Sequence, residues 1–167
     1  MNDLFSLKGK TALITGSSRG LGFVIARGLA RAGATILLNS RNNDELRKKA
    51  EELTKDGYTT DVACFDITNE DQVNAGIQKL TEKHRIDILI NNAGIQIRHP
   101  LENFSYADWN RIIQTNLSGA FLVSKEVAGS MIKHKSGKVI HVGSLQCEVS
   151  RPGIAPYAAA KGGLKML

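Results

Sequence analysis

Three side chains near the end of the sequence have types and a spacing suited to proton transfer. Ser144 follows a short apolar run, Tyr157 comes thirteen residues later, and Lys161 comes four residues after Tyr157. Because positions i and i+4 share one face of a helix, the tyrosine and the lysine can both address one ligand. The pair alone is weak evidence, since such pairs are often solvated. Its place after a strand-end serine favours acid–base chemistry.

Three glycines near the start of the sequence have the spacing Gly-x-x-x-Gly-x-Gly, at Gly16, Gly20 and Gly22. An apolar β-branched run precedes them and an apolar helical pattern follows, which predicts a strand, a tight turn and a helix. The missing Cβ atoms let a ligand approach the helix N-terminus, whose unpaired N–H groups suit a pyrophosphate. No Lys-Ser/Thr follows, which argues against a P-loop. A tight turn without a ligand remains the alternative.

Two arginines near the ends of the first two predicted strands favour NADP(H) over NAD(H). An NAD-selective site places an acid after the second strand to bind the ribose hydroxyls, whereas this sequence has Asn39-Ser40-Arg41 there. Arg41 and Arg19, which lies inside the glycine turn, offer two cations for a 2′-phosphate. The alternative is that both are solvated surface residues.

Two further segments follow predicted strands at the same edge of the sheet. Asp66-Ile67 follow the third strand, where a carboxylate and an apolar side chain suit an adenine, although Asp66 is equally well explained as a loop acid. Asn91-Asn92-Ala93-Gly94 follow the fourth strand, where small residues let the backbone approach a cofactor and amides can tie strands together. We expect both roles, chiefly a structural one for Asn92.

Length and composition bound the possibilities. The 167 residues can bury one core, and Cys64, Cys147 and four scattered histidines indicate neither a disulfide nor a metal site. We interpret both cysteines as small buried apolar residues. The net charge of +6 is spread over helices that also carry acids, which indicates solvated helix faces rather than a nucleic-acid interface. No leader and no membrane span is predicted, and we expect a cytoplasmic protein.

Short apolar runs alternate five times with longer amphipathic ones. Strands are predicted at Thr11–Thr15, Thr35–Asn39, Asp61–Phe65, Ile86–Asn91 and Lys138–Val142. Helices are predicted at Leu21–Ala32, Asn43–Lys55, Glu70–His84, Tyr106–His134 and from Pro156 onward. The alternation predicts an α/β fold, a doubly wound parallel sheet of the Rossmann type with strand order 3-2-1-4-5, in a single domain. Ligands of such sheets bind outside the carboxyl ends of the strands.

Turn and cap residues support several of these boundaries. Thr68 and Ser105 each precede an acid by three residues and are predicted to cap the helices that follow. Pro156 suits a first helical position, and Gly33 and Gly57 suit helix ends.

The glycine turn, Asn91-Asn92-Ala93-Gly94, Asn116, Ser144 and Tyr157-x-x-x-Lys161 together resemble the motifs of the short-chain dehydrogenase/reductase family, over essentially the whole sequence. The resemblance implies an NADP(H)-dependent oxidoreductase in which Ser144 orients the substrate oxygen and Tyr157 is the general acid or base. It further implies that Lys161 binds the nicotinamide ribose and that Asn116 helps to hold a water in the proton relay. The expected cofactor contacts are Gly16, Ser18, Arg19, Gly20, Leu21, Gly22, Ser40, Arg41, Asp66, Ile67, Asn92, Ala93, Gly94, Tyr157 and Lys161.

Three shorter segments, Met1 to Leu7, Gly94 to Pro100 and Ser144 to Glu148, are similar to family members that interconvert gluconate and its 5-keto form. This similarity implies an anionic sugar-acid substrate. The expected substrate contacts are Arg98, Ser144, Gln146, Arg151 and Tyr157, with His99 and Glu148 meeting hydroxyls. The alternatives are rim residues without substrate contact, a keto-deoxy-sugar-acid or 3-oxoacyl substrate, and a non-catalytic dinucleotide-binding regulator.

Family members continue beyond the helix that carries the tyrosine, whereas this sequence stops at Leu167. We therefore expect a truncated form that lacks the C-terminal part of the fold, leaves its fifth strand as an exposed edge and turns over poorly alone. The resemblance implies a homo-oligomer, a tetramer or a dimer, for the full-length form.

Overall fold

The computed structural model describes residues 4–167 and contains one five-stranded parallel sheet in the predicted order β3-β2-β1-β4-β5. The strands are β1 (Thr11–Ile14), β2 (Thr35–Ser40), β3 (Thr60–Cys64), β4 (Ile88–Asn91) and β5 (Lys138–His141). The helices are α1 (Gly20–Arg31), α2 (Asn43–Lys55), α3 (Glu70–Thr81), α4 (Tyr106–Ile113), α5 (Gly119–Lys133) and α6 (Ala155–Met166). The predicted α/β fold is confirmed. Met1, Asn2 and Asp3, part of the opening segment cited above, lie outside the described residues.

The central strands are buried on both faces because helices cover both sides of the sheet. Successive residues point to opposite faces, so Leu13 of β1 packs with residues of α3 and α5, whereas Ile14 packs with residues of α1 and α2. Leu13 lies opposite both Leu37 of β2 and Leu89 of β4. The resulting core positions the carboxyl ends of β1 to β4 side by side.

The fifth strand is an exposed edge, as predicted. β5 pairs with β4 on one side, and its Val139 and Ile140 are 38% and 50% exposed. The loop that connects β5 to α6 carries Ser144, so part of the candidate site is built on this edge.

Most helix boundaries agree with the predicted caps, but one cap is wrong. Ser105 accepts a hydrogen bond from the Asp108 N–H at 3.0 Å, and Gly33 and Gly57 have φ angles of +100° and +87°. At the start of α3, however, the capping side chain is Asn69, not Thr68. The Thr68 hydroxyl instead donates to the Asp66 carboxylate at 2.8 Å, so it is engaged before the helix begins.

The long helix predicted at Tyr106–His134 is divided by one π-helical turn, Gln114–Ser118, which separates α4 from α5.

The prediction that Cys64 is buried is wrong, because its side chain is exposed at the end of edge strand β3. Cys147 is half-buried. Across residues 4–167, no helix has both the length and the apolar character that a bilayer span requires.

Candidate active site

A cleft of about 570 Å³ opens at the carboxyl ends of β1 to β4. This is the edge at which ligands of parallel sheets bind. Most of the predicted cofactor residues line it: Gly16, Ser18, Arg19, Leu21, Gly22, Ser40, Arg41, Asp66, Ile67, Asn92, Ala93 and Gly94. Gly20, Tyr157 and Lys161 are not among its lining residues.

The glycines of the turn have different physical requirements. A Cβ on Gly22 would lie 2.5 Å from the Asn92 Nδ2 atom and from the Gly16 carbonyl oxygen, so no side chain is tolerated there without movement. A Cβ on Gly16 would lie 2.9 Å from the Ala93 Cα. Gly20 has a φ of +55°, which favours glycine, and a Cβ there would meet nothing within 4 Å. The turn therefore packs tightly against the β4 loop and leaves open space at the helix start.

The N-terminus of α1 differs from those of α2, α3 and α4. Those three helices begin with the capping side chains Asn42, Asn69 and Ser105, respectively. Helix α1 begins after Arg19 with no side-chain cap and no acid in its first turn. Its amide N–H groups and its positive dipole end face the cleft, an arrangement that suits a phosphate.

The ends of β1 and β4 are joined by Thr15 and Asn92. The Asn92 side-chain amide donates to the carbonyl oxygens of Thr15 at 3.0 Å and Gly16 at 3.2 Å. The N–H groups of Asn92 and Ala93 donate to the Thr15 hydroxyl at 3.0 and 3.1 Å. These bonds hold the glycine turn against the loop after β4, which is the structural role expected of Asn92.

Several residues that line the cleft were not predicted from the sequence as site residues. They come from β2, the start of α2, the loops after β3 and β4, and the end of the α4 region: Asn39, Asn42, Glu45, Phe65, Ile95, Arg111 and Thr115. Asn39 is buried, and its amide donates to the carbonyl oxygens of Ala63 at 2.9 Å and Phe65 at 3.2 Å, which ties β2 to β3. An amide within an otherwise apolar strand was the available signal for this residue.

Arg41 and Asp66 form an ion pair across the cleft. The Arg41 Nη1 atom lies 3.6 Å from the Asp66 Oδ2 atom, and the Arg41 side chain is 70% exposed. Burial disfavours the ionised Asp66, but hydrogen bonds from Thr68 and the Arg41 charge outweigh burial and hold the pKa of Asp66 below its usual value. The carboxylate is therefore ionised at neutral pH and holds the guanidinium at the mouth of the cleft.

Tyr157 and Lys161 lie on α6 beside the β5 end. Lys161 is 5% exposed, and its Nζ atom donates to the Val142 carbonyl oxygen at 2.5 Å and lies 5.8 Å from the centre of the Tyr157 ring. Burial lowers the pKa of Lys161, an effect that the neighbouring Cys147 partly opposes. The predicted i, i+4 pair thus joins a half-buried tyrosine to a buried lysine whose ammonium group is held by a backbone carbonyl.

Ser144 lies directly after this strand end. Its hydroxyl oxygen accepts a hydrogen bond from the Gln146 N–H at 3.2 Å, at the start of the 3₁₀ turn Leu145–Cys147. The hydroxyl proton is therefore available for another acceptor, such as a substrate oxygen.

Asn116 lies in the π-helical turn and is buried. Its Oδ1 atom accepts from the Ile95 N–H and its Nδ2 atom donates to the Ile95 carbonyl oxygen, both at 2.8 Å. This two-point contact fastens the turn to the loop after β4. Single π turns within helices occur frequently at functional sites.

His141 and Asn91 lie side by side at the ends of β5 and β4. The Asn91 Nδ2 atom lies 3.2 Å from the His141 Nδ1 atom and 2.8 Å from the Ser124 hydroxyl. Burial, and then the Lys161 charge, lower the pKa of His141. A neutral imidazole that accepts at Nδ1 satisfies this contact.

The predicted substrate residues come from three places: the loop after β4 carries Arg98, the loop between β5 and α6 carries Ser144, Gln146 and Arg151, and α6 carries Tyr157. The His99 N–H donates to the Gly153 carbonyl oxygen at 3.2 Å, which brings the segments carrying Arg98 and Arg151 together. Neither arginine has a carboxylate partner within residues 4–167. The Gln146 Oε1 atom is buried without a hydrogen-bond partner. Glu148, by contrast, is paired with Lys165.

Comparisons with known proteins give a consistent result. The family model described as short chain dehydrogenase matches residues 10–167. A gluconate 5-dehydrogenase of Gluconobacter oxydans is 47% identical over 99% of this chain and 65% of that relative. A 5-keto-D-gluconate 5-reductase of Escherichia coli is 44% identical over 100% of this chain and 66% of that relative. The family resemblance and the narrower similarity stated above are both confirmed.

A solved structure agrees as well. The gluconate 5-dehydrogenase of Burkholderia cenocepacia, in complex with NADP and tartrate, superposes with a TM-score of 0.95 at 47% identity, over 97% of this chain and 64% of that one. The chain thus spans about 65% of the length of the curated relatives it matches.

Proposed function

The chain belongs to the short-chain dehydrogenase family, and from this premise we propose that the protein interconverts D-gluconate and 5-keto-D-gluconate by hydride transfer with NADP(H). One observation carries the proposal. A buried lysine is held 5.8 Å from the centre of a tyrosine ring, beside a strand-end serine and at the same sheet edge as a dinucleotide-sized cleft.

The residues of the cleft suit a dinucleotide phosphate. The uncapped N-terminus of α1 and the open space at Gly20 allow a pyrophosphate to reach the amide N–H groups. Arg19 and Arg41 would bind a 2′-phosphate, for which Arg41 would exchange Asp66 for the ligand. The NADP complex of the Burkholderia relative supports this choice of cofactor.

NADP(H), when bound, supplies or accepts the hydride at its nicotinamide ring. The proton would move through Tyr157: its phenol donates to the substrate carbonyl oxygen in reduction, and its phenolate accepts from the substrate hydroxyl in oxidation. A positive charge 5.8 Å from the centre of the Tyr157 ring attracts negative charge that develops on the phenol. Lys161 would supply that charge. The Ser144 hydroxyl would donate a hydrogen bond to the substrate oxygen and so orient it.

Asn116 would support the proton relay by fixing the position of the π-helical turn. Both ends of its side chain bind the Ile95 backbone, so the π-helical turn is held at a constant distance from the β4 loop. A backbone carbonyl released from the regular α-helical pattern by such a turn is free to bind a water.

The proposed substrate is an anionic sugar acid. Arg98 and Arg151 lie on segments joined by the His99–Gly153 hydrogen bond, and within residues 4–167 neither is ion-paired, so both would be available for its carboxylate. The unpartnered Gln146 Oε1 atom would accept from a substrate hydroxyl. The ion pair with Lys165 makes Glu148 a weaker candidate for hydroxyl contact.

We also propose that residues 1–167 act as one dinucleotide-binding and catalytic domain, and that the full-length form is a cytoplasmic homo-oligomer. Sedimentation of the full-length form would test the oligomer.

The decisive experiment is NADPH oxidation with 5-keto-D-gluconate. It should be run on the 167-residue chain and on a chimera that adds the part of the Gluconobacter relative outside the match, each beside its Tyr157→Phe control. Turnover above the control supports the proposal. Tight NADPH binding without turnover by the chimera would point to another carbonyl substrate or to a regulatory dinucleotide-binding protein.

A further inference from the structure

Two carboxylates line the cleft, and the proposed function uses one of them. Asp66 is paired with Arg41, whereas Glu45 has no role in the chemistry described above. Glu45 lies in the first turn of α2, where an acid is favourable for the helix dipole. Asp44 satisfies the same requirement, but Asp44 does not line the cleft.

The Glu45 carboxylate reaches across the cleft from α2 to the glycine turn. Its backbone is held by the Asn42 cap, which accepts from the Glu45 N–H at 3.2 Å. The hydroxyl of Ser18, a buried residue of the turn, donates to the Glu45 Oε2 atom at 3.5 Å. The carboxylate therefore lies between the two segments that carry the candidate phosphate ligands Arg19 and Arg41.

A negative charge at this place distinguishes the two nicotinamide cofactors. A carboxylate at the adenosine ribose accepts hydrogen bonds from the 2′-hydroxyl of NAD(H), a role usually filled by an acid after the second strand. The same carboxylate repels a 2′-phosphate. Here the residue after β2 is Arg41, and the acid comes from the first turn of α2.

We propose that Glu45 is a cofactor-selectivity residue that opposes Arg19 and Arg41, weakens binding of the 2′-phosphate and keeps NAD(H) competitive with NADP(H). The inference rests on the proposed function, because it requires a nicotinamide dinucleotide in this cleft. It makes the site a balance of Arg19 and Arg41 against Glu45, not a phosphate site alone.

The test compares Glu45→Gln with Asp44→Asn, which removes the same charge from the same helix turn outside the cleft. Dissociation constants for NADPH and NADH are measured by the fluorescence of the bound reduced nicotinamide. We expect Glu45→Gln to tighten NADPH binding by about three- to tenfold and to weaken NADH binding slightly. Asp44→Asn should change either constant by less than about twofold, because Asp44 does not line the cleft.

Two further measurements test whether the effect of Glu45 depends on the 2′-phosphate. Adenosine 2′,5′-bisphosphate should gain affinity in Glu45→Gln while AMP does not, and the gain should shrink in high salt, which screens the repulsion. An unchanged NADPH to NADH ratio, or weaker NADPH binding, would overturn the role of Glu45 while wild-type NADPH binding left the proposed function intact. Failure of the folded wild type to bind either dinucleotide would overturn both.

Discussion

The candidate cofactor cleft and the proposed proton-transfer group, Ser144 with Tyr157 and Lys161, lie at the same edge of the sheet but are held in different ways. The cleft is built on buried central strands, and the Thr15–Asn92 hydrogen bonds hold its glycine turn. The proton-transfer group is built on α6 and on the loop after edge strand β5, whose Val139 and Ile140 are exposed.

The difference reflects the separate structural requirements of phosphate binding and of proton transfer. A dinucleotide phosphate requires backbone N–H groups at constant positions, which close packing of small residues provides. Proton transfer requires one side chain in the correct charge state, which a single buried cation can provide even at the edge of a sheet. The cleft should therefore respond to added volume, and the proton-transfer group should respond to removal of single polar atoms.

The largest effect is expected from Tyr157→Phe. Loss of the phenol hydroxyl removes the group proposed to move the proton, so turnover should fall by about 10²–10⁴-fold. NADPH affinity should change little, since the cleft residues are untouched. Steady-state NADPH oxidation and a binding titration on the same preparation check both parts, and retained turnover would refute the assignment of Tyr157.

Arg41→Asp should change cofactor selectivity next most strongly. Loss of a charge-assisted contact, together with a new repulsion, should weaken NADPH binding by roughly tenfold to a hundredfold. NADH binding should be affected much less. The matched control is Arg47→Asp, which makes the same charge change on α2 outside the cleft. Equal effects of the two substitutions on the NADPH to NADH ratio would remove Arg41 from the site.

Gly22→Ala tests the packing of the cleft. The added Cβ would lie 2.5 Å from the Asn92 amide and the Gly16 carbonyl oxygen, so the free energy of unfolding should fall by about 1–3 kcal/mol. Gly28→Ala in the same helix meets nothing within 4 Å and should raise that free energy by about 0.5–1 kcal/mol. Denaturant titrations of the two variants compare them directly. Equal shifts would show that close packing does not explain Gly22.

The smallest effect is expected from His141 as the pH falls. Burial and the Lys161 charge lower the pKa of His141, so the unfolded chain binds its proton more readily than the folded chain. The His141 contribution to stability should be constant above the ordinary histidine pKa of about 6.5 and should be lost progressively below it. His141→Asn should flatten this part of the curve in unfolding titrations between pH 5 and 8, about the ordinary histidine pKa. A parallel curve for the variant would assign the acid sensitivity to other groups.

The elements and most candidate residues were predictable because their signals are local. The glycine spacing, the period of the apolar residues and the Tyr-x-x-x-Lys spacing each depend on a few neighbouring positions. The wrong predictions involve competition for one atom or one surface: Thr68 binds Asp66 instead of capping α3, and Cys64 lies on an edge strand that no helix covers. Such outcomes depend on which of several possible contacts the folded structure makes, and residue spacing alone does not rank these contacts.

Local patterning was sufficient for the alternation of strands and helices, the strand order, the glycine turn and the tyrosine–lysine pair. Tertiary structure alone decided that Asn116 binds both atoms of the Ile95 peptide backbone, that a Gly22 side chain would strike Asn92, and that Glu45 reaches Ser18 across the cleft. Each of these contacts joins residues more than twenty positions apart. Local propensity carries no information about such contacts, and they form only when the packed sheet brings the ends of its strands together.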